Sequence, residues 1–377
     1  MHILHVSESF ASGTLEVIRT LSNRLVAEGH AVTVAYGARP ETPADVAALF
    51  DPRVELLALP WRRRTLRAQV AAGRALRRLV ADLRPNVVHL HSSFAGAVGA
   101  AALGGRRPGS ARLVYTPHGS ALLRHSDGRL QRTGYRLVER FVARRVSVIG
   151  AVSKAEARVA RTLRGQARVE VVPNGLPELD ERGTPAPEPR PAPLVVGMGR
   201  LGAARPAASV ARILGALRDV ATPMWIGDAI RPEDAAVLRE HGVEVTGWLD
   251  RELALEQLAA ATACLHWSAW DGQAMVILEA LALDVVAIAS DVEANREVLG
   301  DAQVCADEDE AVALLRSIVE DPAVREVLLR AQRGRRAAYG AQRMTDSWLR
   351  LYTRESTRAG ESAESAATLS EDAQAIS

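Results

Sequence analysis

Two acidic residues in the segment 270–282 carry the strongest indication of chemistry in this sequence. Asp271 lies with Gly272 in a loop after a predicted strand, and Glu279 follows eight positions later in an otherwise apolar predicted helix. Both carboxylates can reach a ligand over the helix N-terminus, where the helix dipole favours phosphate groups. A carboxylate buried in an apolar helix requires a partner. For Glu279 that partner is either the hydroxyl groups of a ligand or an arginine of the fold.

A glycine turn with two cations forms a second candidate site. A predicted strand over 194–196 leads into Gly199 and Arg200, and Arg205 follows five positions after Arg200. Guanidinium groups bind phosphate oxygens in a bidentate manner, and glycine allows a diphosphate to approach the backbone. The pattern therefore indicates a diphosphate site, with solvated arginines in an arginine-rich protein as the alternative.

Two positions of the first half could face the same ligand. Gly13 stands at the start of a predicted helix, where unpaired N–H groups favour an anion, although an ordinary tight turn explains it equally well. His118 precedes Gly119 at the end of a predicted strand over 112–116, where a side chain points into a cleft. We interpret His118 as functional, with a hydrogen-bonded structural histidine as the alternative.

The remaining histidines and acids do not predict a metal site. His5, His89 and His91 alternate with apolar residues and no further ligand pattern accompanies them, so we expect them to pack in the core or beside the cleft. Asp307 and Asp309 spell Asp-x-Asp, a pattern that can bind metal, but they lie in an acidic stretch before a predicted helix. We interpret them as an N-terminal cap and solvated acids.

The composition excludes several classes of protein. The chain has 377 residues, of which 48% are hydrophobic and 24% charged, so it is too long for one ordinary core and too apolar for disorder. Its first residues do not resemble a secretion signal, no apolar run is long enough for a membrane span, and two cysteines cannot build a disulfide framework. We expect a reduced, cytoplasmic setting.

Charge is distributed unevenly between the two halves. Residues 1–176 carry 27 basic and 12 acidic groups, a net +15, whereas the remainder carries 20 basic and 33 acidic groups, a net −13. Two sets of arginines recur at helical spacing in the first half: Arg63, Arg67, Arg74 and Arg78, and then Arg129, Arg132, Arg136, Arg140 and Arg144. They form either solvated faces or a contact with anionic lipid headgroups or a lipid diphosphate. Nucleic acid is disfavoured because aromatic residues amount to only 4%.

Short β-branched runs alternate with helical patterns along most of the chain. The predicted strands are Ile3–Val6, Ala31–Tyr36, Val54–Leu57, Asn86–Leu90, Arg112–Thr116, Val146–Val152, Val169–Val172, Leu194–Val196, Met224–Ile226, Val243–Val245, Ala263–His266 and Val285–Ser290. This alternation predicts an α/β fold with two Rossmann-like, doubly wound domains that face an interdomain cleft. We place a first domain at 1–176, a proline-rich linker at 177–193, a second domain at 194–335, a C-terminal helix that packs back on the first domain at 336–352, and a disordered tail at 353–377.

The order of these motifs resembles the retaining glycosyltransferases of family 4. The resemblance covers most of residues 1–350 and is carried by Gly199-Arg200-Leu201, Arg205 and the pair Asp271 and Glu279. Further matching motifs are Ile3-Leu4-His5-Val6 with Gly13, Gly29-His30, residues 87–93, Thr116-Pro117-His118-Gly119, Val152-Ser153, Pro173-Asn174-Gly175 and Gly247. The resemblance implies a GT-B fold with a nucleotide sugar bound in the cleft without a metal. The first half is similar to enzymes of capsule, O-antigen and exopolysaccharide assembly.

The resemblance also implies roles for individual residues. Arg200 and Arg205 would hold the diphosphate, Glu279 the ribose hydroxyl groups, and Asp271 the transferred sugar, which His118 would face from the first domain. The remaining substrate-binding positions are Gly13, Gly199, Gly247, Trp248, Gly272, Gln273, Ala274 and Met275. The implied reaction moves a sugar with retention from a nucleotide diphosphate sugar, with UDP favoured, to a lipid-linked or polysaccharide acceptor of the cell surface. No cofactor beyond this co-substrate is implied, and the enzyme would lie peripherally on the inner face of the cell membrane.

Several positions depart from the family pattern. Asp271 replaces Glu, Arg205 replaces Lys, Pro206 replaces Gly, Asp284 replaces Gly, Val286 replaces Pro, and Glu293-Ala294 replaces a turn that contains glycine. Only Lys154 is a lysine among 47 basic residues, so arginine at position 205 agrees with the composition. The departures at Asp271, Asp284 and Glu293 keep one alternative open, a non-catalytic sugar-nucleotide-binding partner. A second alternative is a GT-B nucleotide-sugar epimerase, which the pattern from Arg200 to Glu279 disfavours.

Overall fold

Two parallel sheets organise the protein. The computed structural model describes residues 1–61, 63, 65–104, 111–124, 128–177 and 192–353. Most of the predicted linker, at 178–191, and the predicted tail beyond Thr353 lie outside the described residues. Each sheet has an apolar core on both of its faces, as expected for parallel strands joined by helices.

The first sheet has seven parallel strands in the order β3-β2-β1-β4-β5-β6-β7. They are β1 His2–Ser7, β2 Ala31–Gly37, β3 Glu55–Leu59, β4 Val87–His91, β5 Arg112–Thr116, β6 Val148–Ala151 and β7 Arg168–Val171. The helices of this part are α1 Ser12–Ala27, α2 Leu66–Leu83, α3 Ser93–Leu103, α4 Arg129–Ala143 and α5 Lys154–Arg161.

The second sheet has six parallel strands in the order β10-β9-β8-β11-β12-β13. They are β8 Leu194–Met198, β9 Thr222–Ile226, β10 Glu244–Val245, β11 Ala263–His266, β12 Val286–Ser290 and β13 Val304–Cys305. The remaining helices are α6 Ala207–Gly215, α7 Pro232–Glu240, α8 Arg251–Ala259, α9 Met275–Ala282, α10 Glu293–Leu299, α11 Glu308–Glu320, α12 Pro322–Arg336 and α13 Ala341–Thr353.

The strand order reverses between β1 and β4 in the first sheet and between β8 and β11 in the second. Open parallel sheets bind ligands at such points, outside the carboxyl ends of the strands. Gly13 follows β1, Arg200 follows β8 and Asp271 follows β11. The topology alone therefore brings these three positions to the ligand-binding edges of the two sheets.

The C-terminal helix α13 returns to the first sheet. Its buried side chains Met344, Trp348, Leu351 and Tyr352 share an apolar core with α1 and with strands of the first sheet. A side chain at Gly150 in β6 would collide with the ring of Trp348, so glycine is needed there. The helix begins at Ala341 rather than at 336, because a short 3-10 turn at Ala337–Tyr339 separates it from α12.

All twelve predicted strands are present, and within the described ranges only the short strand β13 was not predicted. The helix α2 departs further from its prediction. It begins at Leu66, so Arg63 precedes it, and Leu66 is 80% exposed. Val70 is 44% exposed, whereas Leu76 is buried. Apolar side chains in the first turns of α2 are thus left uncovered.

Candidate active site

Loops from the two sheets meet at the carboxyl ends of their strands. A Cβ atom at Gly13 would lie 2.9 Å from Cγ of Met275, and one at Gly272 would lie 2.6 Å from the backbone nitrogen of Gly119. Gly119 also has a φ of +94°, a conformation that favours glycine. Any side chain at Gly272 would push the two loops apart, so these glycines allow the first domain to contact the loop that bears Asp271.

Asp271 is held by two partners in its own domain. Its Oδ2 lies 3.1 Å from Nε2 of His266 and 3.6 Å from Nη2 of Arg205. Burial opposes ionisation of Asp271, but the hydrogen bond to His266 and the charge of Arg205 outweigh it and lower the pKa of the carboxyl group. The carboxylate is therefore ionised and fixed in orientation. His266 was not among the predicted site residues, although a polar residue at the end of a buried strand was an available signal.

The glycine turn after β8 places Arg205 beside Asp271. Gly199 has a φ of +131°, and a Cβ atom there would lie 3.1 Å from Nε of Arg205, so the guanidinium group packs directly over this glycine. Arg200 is exposed and lies over the ring of Trp248, 5.7 Å from its centroid. Trp248 is itself 54% exposed. The two cations thus have different surroundings: Arg205 lies against Asp271, and Arg200 lies at the outer edge of the site.

Gly247, which precedes Trp248, belongs to a group of glycine turns under the site. It has a φ of +72° and pairs with Gly227, where a side chain would collide with the carbonyl oxygen of Gly199. The indole Nε1 of Trp225 donates to that same carbonyl oxygen at 3.1 Å. These close backbone contacts fix the turn that carries Arg200.

Glu279 is paired with an arginine of the fold. Nη1 of Arg251 donates to Oε1 of Glu279 at 2.8 Å, and Nε of Arg251 lies 3.1 Å from Oε2 of Glu16 in α1. Burial raises the pKa of Glu279, and the charge of Arg251 partly opposes this shift. The arginine alternative of the sequence analysis is therefore present, and a ligand would share the carboxylate with Arg251. Arg251 and Glu16 were not predicted, because their contact joins segments far apart in the sequence.

The loop with His118 and Gly119 is anchored by a buried carboxylate. Glu156 in α5 accepts hydrogen bonds from the backbone nitrogens of Gly119 and Ser120 at 2.8 Å and from that of Val152 at 2.9 Å. Burial raises the pKa of Glu156, and the three backbone hydrogen bonds oppose the shift. Glu156 is a further residue that the sequence analysis did not identify.

His118 lies in this loop in a left-handed conformation, with a φ of +54°. Its Nε2 lies 2.9 Å from Nδ1 of His91. Burial lowers the pKa of His118 to about 4, so the ring is neutral at neutral pH. A left-handed backbone is strained for a residue with a side chain and is frequent at functional sites.

Ring nitrogens of His5, His89 and His91 all lie within 4.8 Å of one another, so geometry alone would allow a metal ion. Within the described residues, however, five of their six ring nitrogens have hydrogen-bond partners. Those of His89 are bound to Tyr352 and Thr116, and those of His91 to His5 and His118. The three rings are buried, which confirms that they pack in the core. A metal would have to break this network, so the residues fit hydrogen bonding better.

The remaining predicted positions lie at the start of α9 and in the acidic stretch before α11. Gln273 is buried, and its Oε1 accepts from the backbone nitrogen of Asn174 at 2.6 Å, so its side chain joins the two domains. Ala274 occupies the N-cap position of α9. Asp307 caps α11 through a hydrogen bond from the Glu310 nitrogen at 2.9 Å, which confirms the capping prediction.

Two departures from the family pattern make ion pairs. Asp284 takes a φ of +55°, the conformation for which glycine is preferred, and pairs with Arg333 at 3.2 Å and with Arg336 at 3.3 Å. Glu293 forms a bidentate pair across the domains with Arg158. Both departures therefore have structural partners outside the candidate active site.

Two family models match the chain, one for each sheet. Residues 11–178 match the family described as Glycosyltransferase Family 4, and residues 192–321 match the family described as Glycosyl transferases group 1. A search of curated proteins found no significant match.

Solved structures share the fold at low sequence identity. A sucrose-phosphate synthase from Thermosynechococcus elongatus has a TM-score of 0.75 at 17% identity, over 93% of this chain and 98% of that chain. Alr3699/HepE from Anabaena in complex with UDP and glucose has a TM-score of 0.73 at 16% identity, over 93% and 99%. WaaG, a glycosyltransferase involved in lipopolysaccharide biosynthesis, has a TM-score of 0.70 at 14% identity, over 94% and 100%. These likenesses confirm the two-domain GT-B fold.

Proposed function

We propose that this chain is a GT4-type glycosyltransferase, which transfers a sugar with retention from a nucleotide diphosphate sugar to a lipid-linked or polysaccharide acceptor. The observation that carries the proposal is the meeting of Asp271 and Arg205 with the loop of His118 and Gly119. An ionised carboxylate and a cation of the second domain then lie beside the loop of the first domain that carries a neutral imidazole. This set of groups suits a sugar whose leaving group is anionic.

The donor would lie along the edge of the second sheet. Arg200 and Arg205 supply positive charge for a diphosphate, and the backbone N–H groups at the start of α9 add the favourable end of a helix dipole. Glu279 would bind the ribose hydroxyl groups while it keeps its pair with Arg251. We favour UDP as the nucleotide, in line with Alr3699/HepE, whose structure contains UDP and glucose.

Catalysis would rest on charge stabilisation. As the glycosidic bond breaks, negative charge grows on the departing diphosphate, and cations already in place stabilise it most in the transition state. Arginines supply this charge, so we propose transfer without a metal. Oδ2 of Asp271 already interacts with His266 and Arg205, which suits a residue that holds the sugar better than one that attacks it. We therefore propose attack by the acceptor on the same face, with the departing phosphate taking its proton.

The acceptor side would contact a membrane. Leu130 is 88% exposed and Leu137 62% exposed on α4, and both lie among the arginines of that helix. The helix α3 packs against both α2 and α4, and Leu66 of α2 is also exposed. Exposed leucines interleaved with arginines suit the interface of an anionic bilayer better than a fully solvated basic face. No helix of the described ranges has the length and apolar content for a membrane span. We propose peripheral binding to the inner face of the cell membrane and a role in capsule, O-antigen or exopolysaccharide assembly.

A non-catalytic sugar-nucleotide-binding protein is the second candidate. It is favoured by the pair between Glu279 and Arg251, which occupies one oxygen of the proposed ribose ligand. An epimerase fits less well, because it needs acid–base groups at the sugar and Asp271 is held ionised by its partners.

Thermal unfolding with UDP, ADP, GDP and their sugar conjugates tests donor binding. A ligand at 100 times its Kd stabilises the folded state by about 2.7 kcal/mol. We expect the largest shift with a UDP-sugar, a smaller one for Asp271→Asn, and a wild-type shift for Asp284→Asn, which changes an aspartate away from the site. No shift with any nucleotide would refute donor binding. A shift with a sugar nucleotide, but no release of free nucleotide when a panel of acceptors is added, would favour the non-catalytic candidate.

A further inference from the structure

The imidazole rings of His5, His91 and His118 form a hydrogen-bonded file, which runs from the core of the first sheet to the cleft. Nε2 of His118 lies 2.9 Å from Nδ1 of His91, and Nε2 of His91 lies 3.0 Å from Nδ1 of His5. The three residues belong to β1, β4 and the loop after β5, which are neighbours in the sheet. His5 and His91 are completely or almost completely buried. The cleft residue is thus linked to a buried ring two strands away.

All three rings are neutral at neutral pH. Burial lowers the pKa of His5 to about 3 and that of His118 to about 4, and it lowers the pKa of His91 well below its ordinary value. A neutral imidazole has one N–H donor and one acceptor nitrogen. The two hydrogen bonds of the file therefore allow only two arrangements, in which all protons point toward the cleft or all point toward the core.

The buried end of the file distinguishes the two arrangements. Nε2 of His5 is buried and has no hydrogen-bond partner among the described residues. Protons pointing toward the core would place an unpaired N–H group at this atom, whereas the opposite arrangement leaves only an unpaired acceptor there. Buried N–H groups without a partner are the rarer and costlier case. The file then runs from Nδ1–H of His5 to His91, and from Nδ1–H of His91 to Nε2 of His118.

We propose that His5 and His91 are positioning residues that hold His118 as its Nδ1–H tautomer, so that it offers a neutral hydrogen-bond donor to an oxygen of the transferred sugar. The proposal rests on the proposed function, because it takes the sugar as the ligand of His118. A neutral donor suits this place, since a charged imidazolium would repel the positive charge that develops on the sugar ring as its leaving group departs. No proton is transferred, and the file acts by fixing which nitrogen carries hydrogen.

His89 offers a matched control within the same cluster. Its ring centroid lies 4.0 Å from that of His91, and it is equally buried. Its two nitrogens are bound to the hydroxyl groups of Tyr352 and Thr116, 2.7 and 2.8 Å away, so it stands outside the file. Replacing His89 removes a buried imidazole without cutting the link between His5 and His118.

Long-range proton–nitrogen NMR on protein labelled with [15N]histidine reads the tautomer directly, and a His118→Gln spectrum assigns the signals. We expect hydrogen on Nδ1 of His118 in the wild type, in His89→Leu and in His5→Gln, whose amide group can replace the donor. In His5→Leu we expect two tautomers and a kcat lower by roughly 10-fold, the lower end of the loss when a partner that orients a metal-bound histidine is removed, with the KM for the donor little changed. Thermal unfolding confirms that each variant is folded.

Two results would overturn the proposal. One is hydrogen on Nε2 of His118 in the wild type, and the other is a fall in kcat for His5→Leu no larger than that for His89→Leu. The NMR measurement needs no substrate. If the tautomer is as expected but no donor is turned over, the proposed function fails while the assignment of the file stands.

Discussion

Replacing Glu279 with alanine separates its binding of a ligand from its ion pair with Arg251. If the carboxylate accepts hydrogen bonds from ribose, its loss removes a charged hydrogen bond worth about 1.5 to 3 kcal/mol. That range corresponds to a nucleotide Kd raised by roughly 10- to 150-fold. Isothermal titration calorimetry with UDP measures this change. The variant should remain folded, because Arg251 keeps its contact with Glu16, 3.1 Å away.

Arg251→Gln is the matched control for this experiment. It removes the protein partner of Glu279 but leaves the carboxylate, so we expect UDP affinity to be kept. We expect its free energy of unfolding to fall by about 2 kcal/mol, less than the 3 to 5 kcal/mol of a fully buried pair, because the arginine is partly exposed. If Glu279→Ala and Arg251→Gln lower stability alike and neither changes UDP affinity, Glu279 is a structural residue and the reasoning about ribose is wrong.

Three further predictions concern charge. Arg200→Ala and Arg205→Ala should lower turnover more than stability, whereas Arg205→Lys should keep much of the activity. Steady-state kinetics and thermal unfolding measure these two effects. If the lysine variant is as inactive as the alanine variant, the positive charge at position 205 does not explain its role. The double variant Leu130→Gln, Leu137→Gln should no longer float with anionic vesicles at low salt. The wild type should be released from them at about 0.5 M salt, because the electrostatic screening length shortens severalfold. Equal flotation with neutral vesicles would contradict membrane recognition by charge. Stability should fall as the pH drops from 7 toward 4, because the unfolded chain then protonates four imidazoles whose pKa values burial lowers in the folded state. These imidazoles outnumber the buried carboxyl groups of Glu139, Glu156 and Glu279, whose raised pKa values act in the opposite direction. Denaturant unfolding at several pH values would refute this if the free energy stays constant.

Periodicity predicted the fold well because parallel strands and their helices leave a local pattern in the sequence. The run Ala263–His266 is a strand with those same bounds, and the loop with Asp271 follows it. The exposed Leu66 could not be predicted in this way, since periodicity shows that an apolar residue is present but not whether another element covers it.

The partners of the site residues were harder to predict. Arg251 contacts both Glu16 and Glu279, and Glu156 anchors the loop of His118. These contacts join residues far apart in the chain, and a single charged residue on a helix carries no sign of its partner. The sequence therefore indicated candidate site residues, but only the folded structure shows which groups hold each side chain in place.

The anomeric form of the released sugar tests the central proposal most directly. Proton NMR can follow a UDP-α-sugar during slow hydrolysis by the wild type and by Asp271→Asn, each in the presence of a chelator. We predict that the wild type releases UDP together with the α-anomer first, despite the chelator, and that Asp271→Asn is much slower. Release of the β-anomer first would contradict transfer with retention, and turnover that stops with chelator and returns with magnesium would contradict the metal-free mechanism.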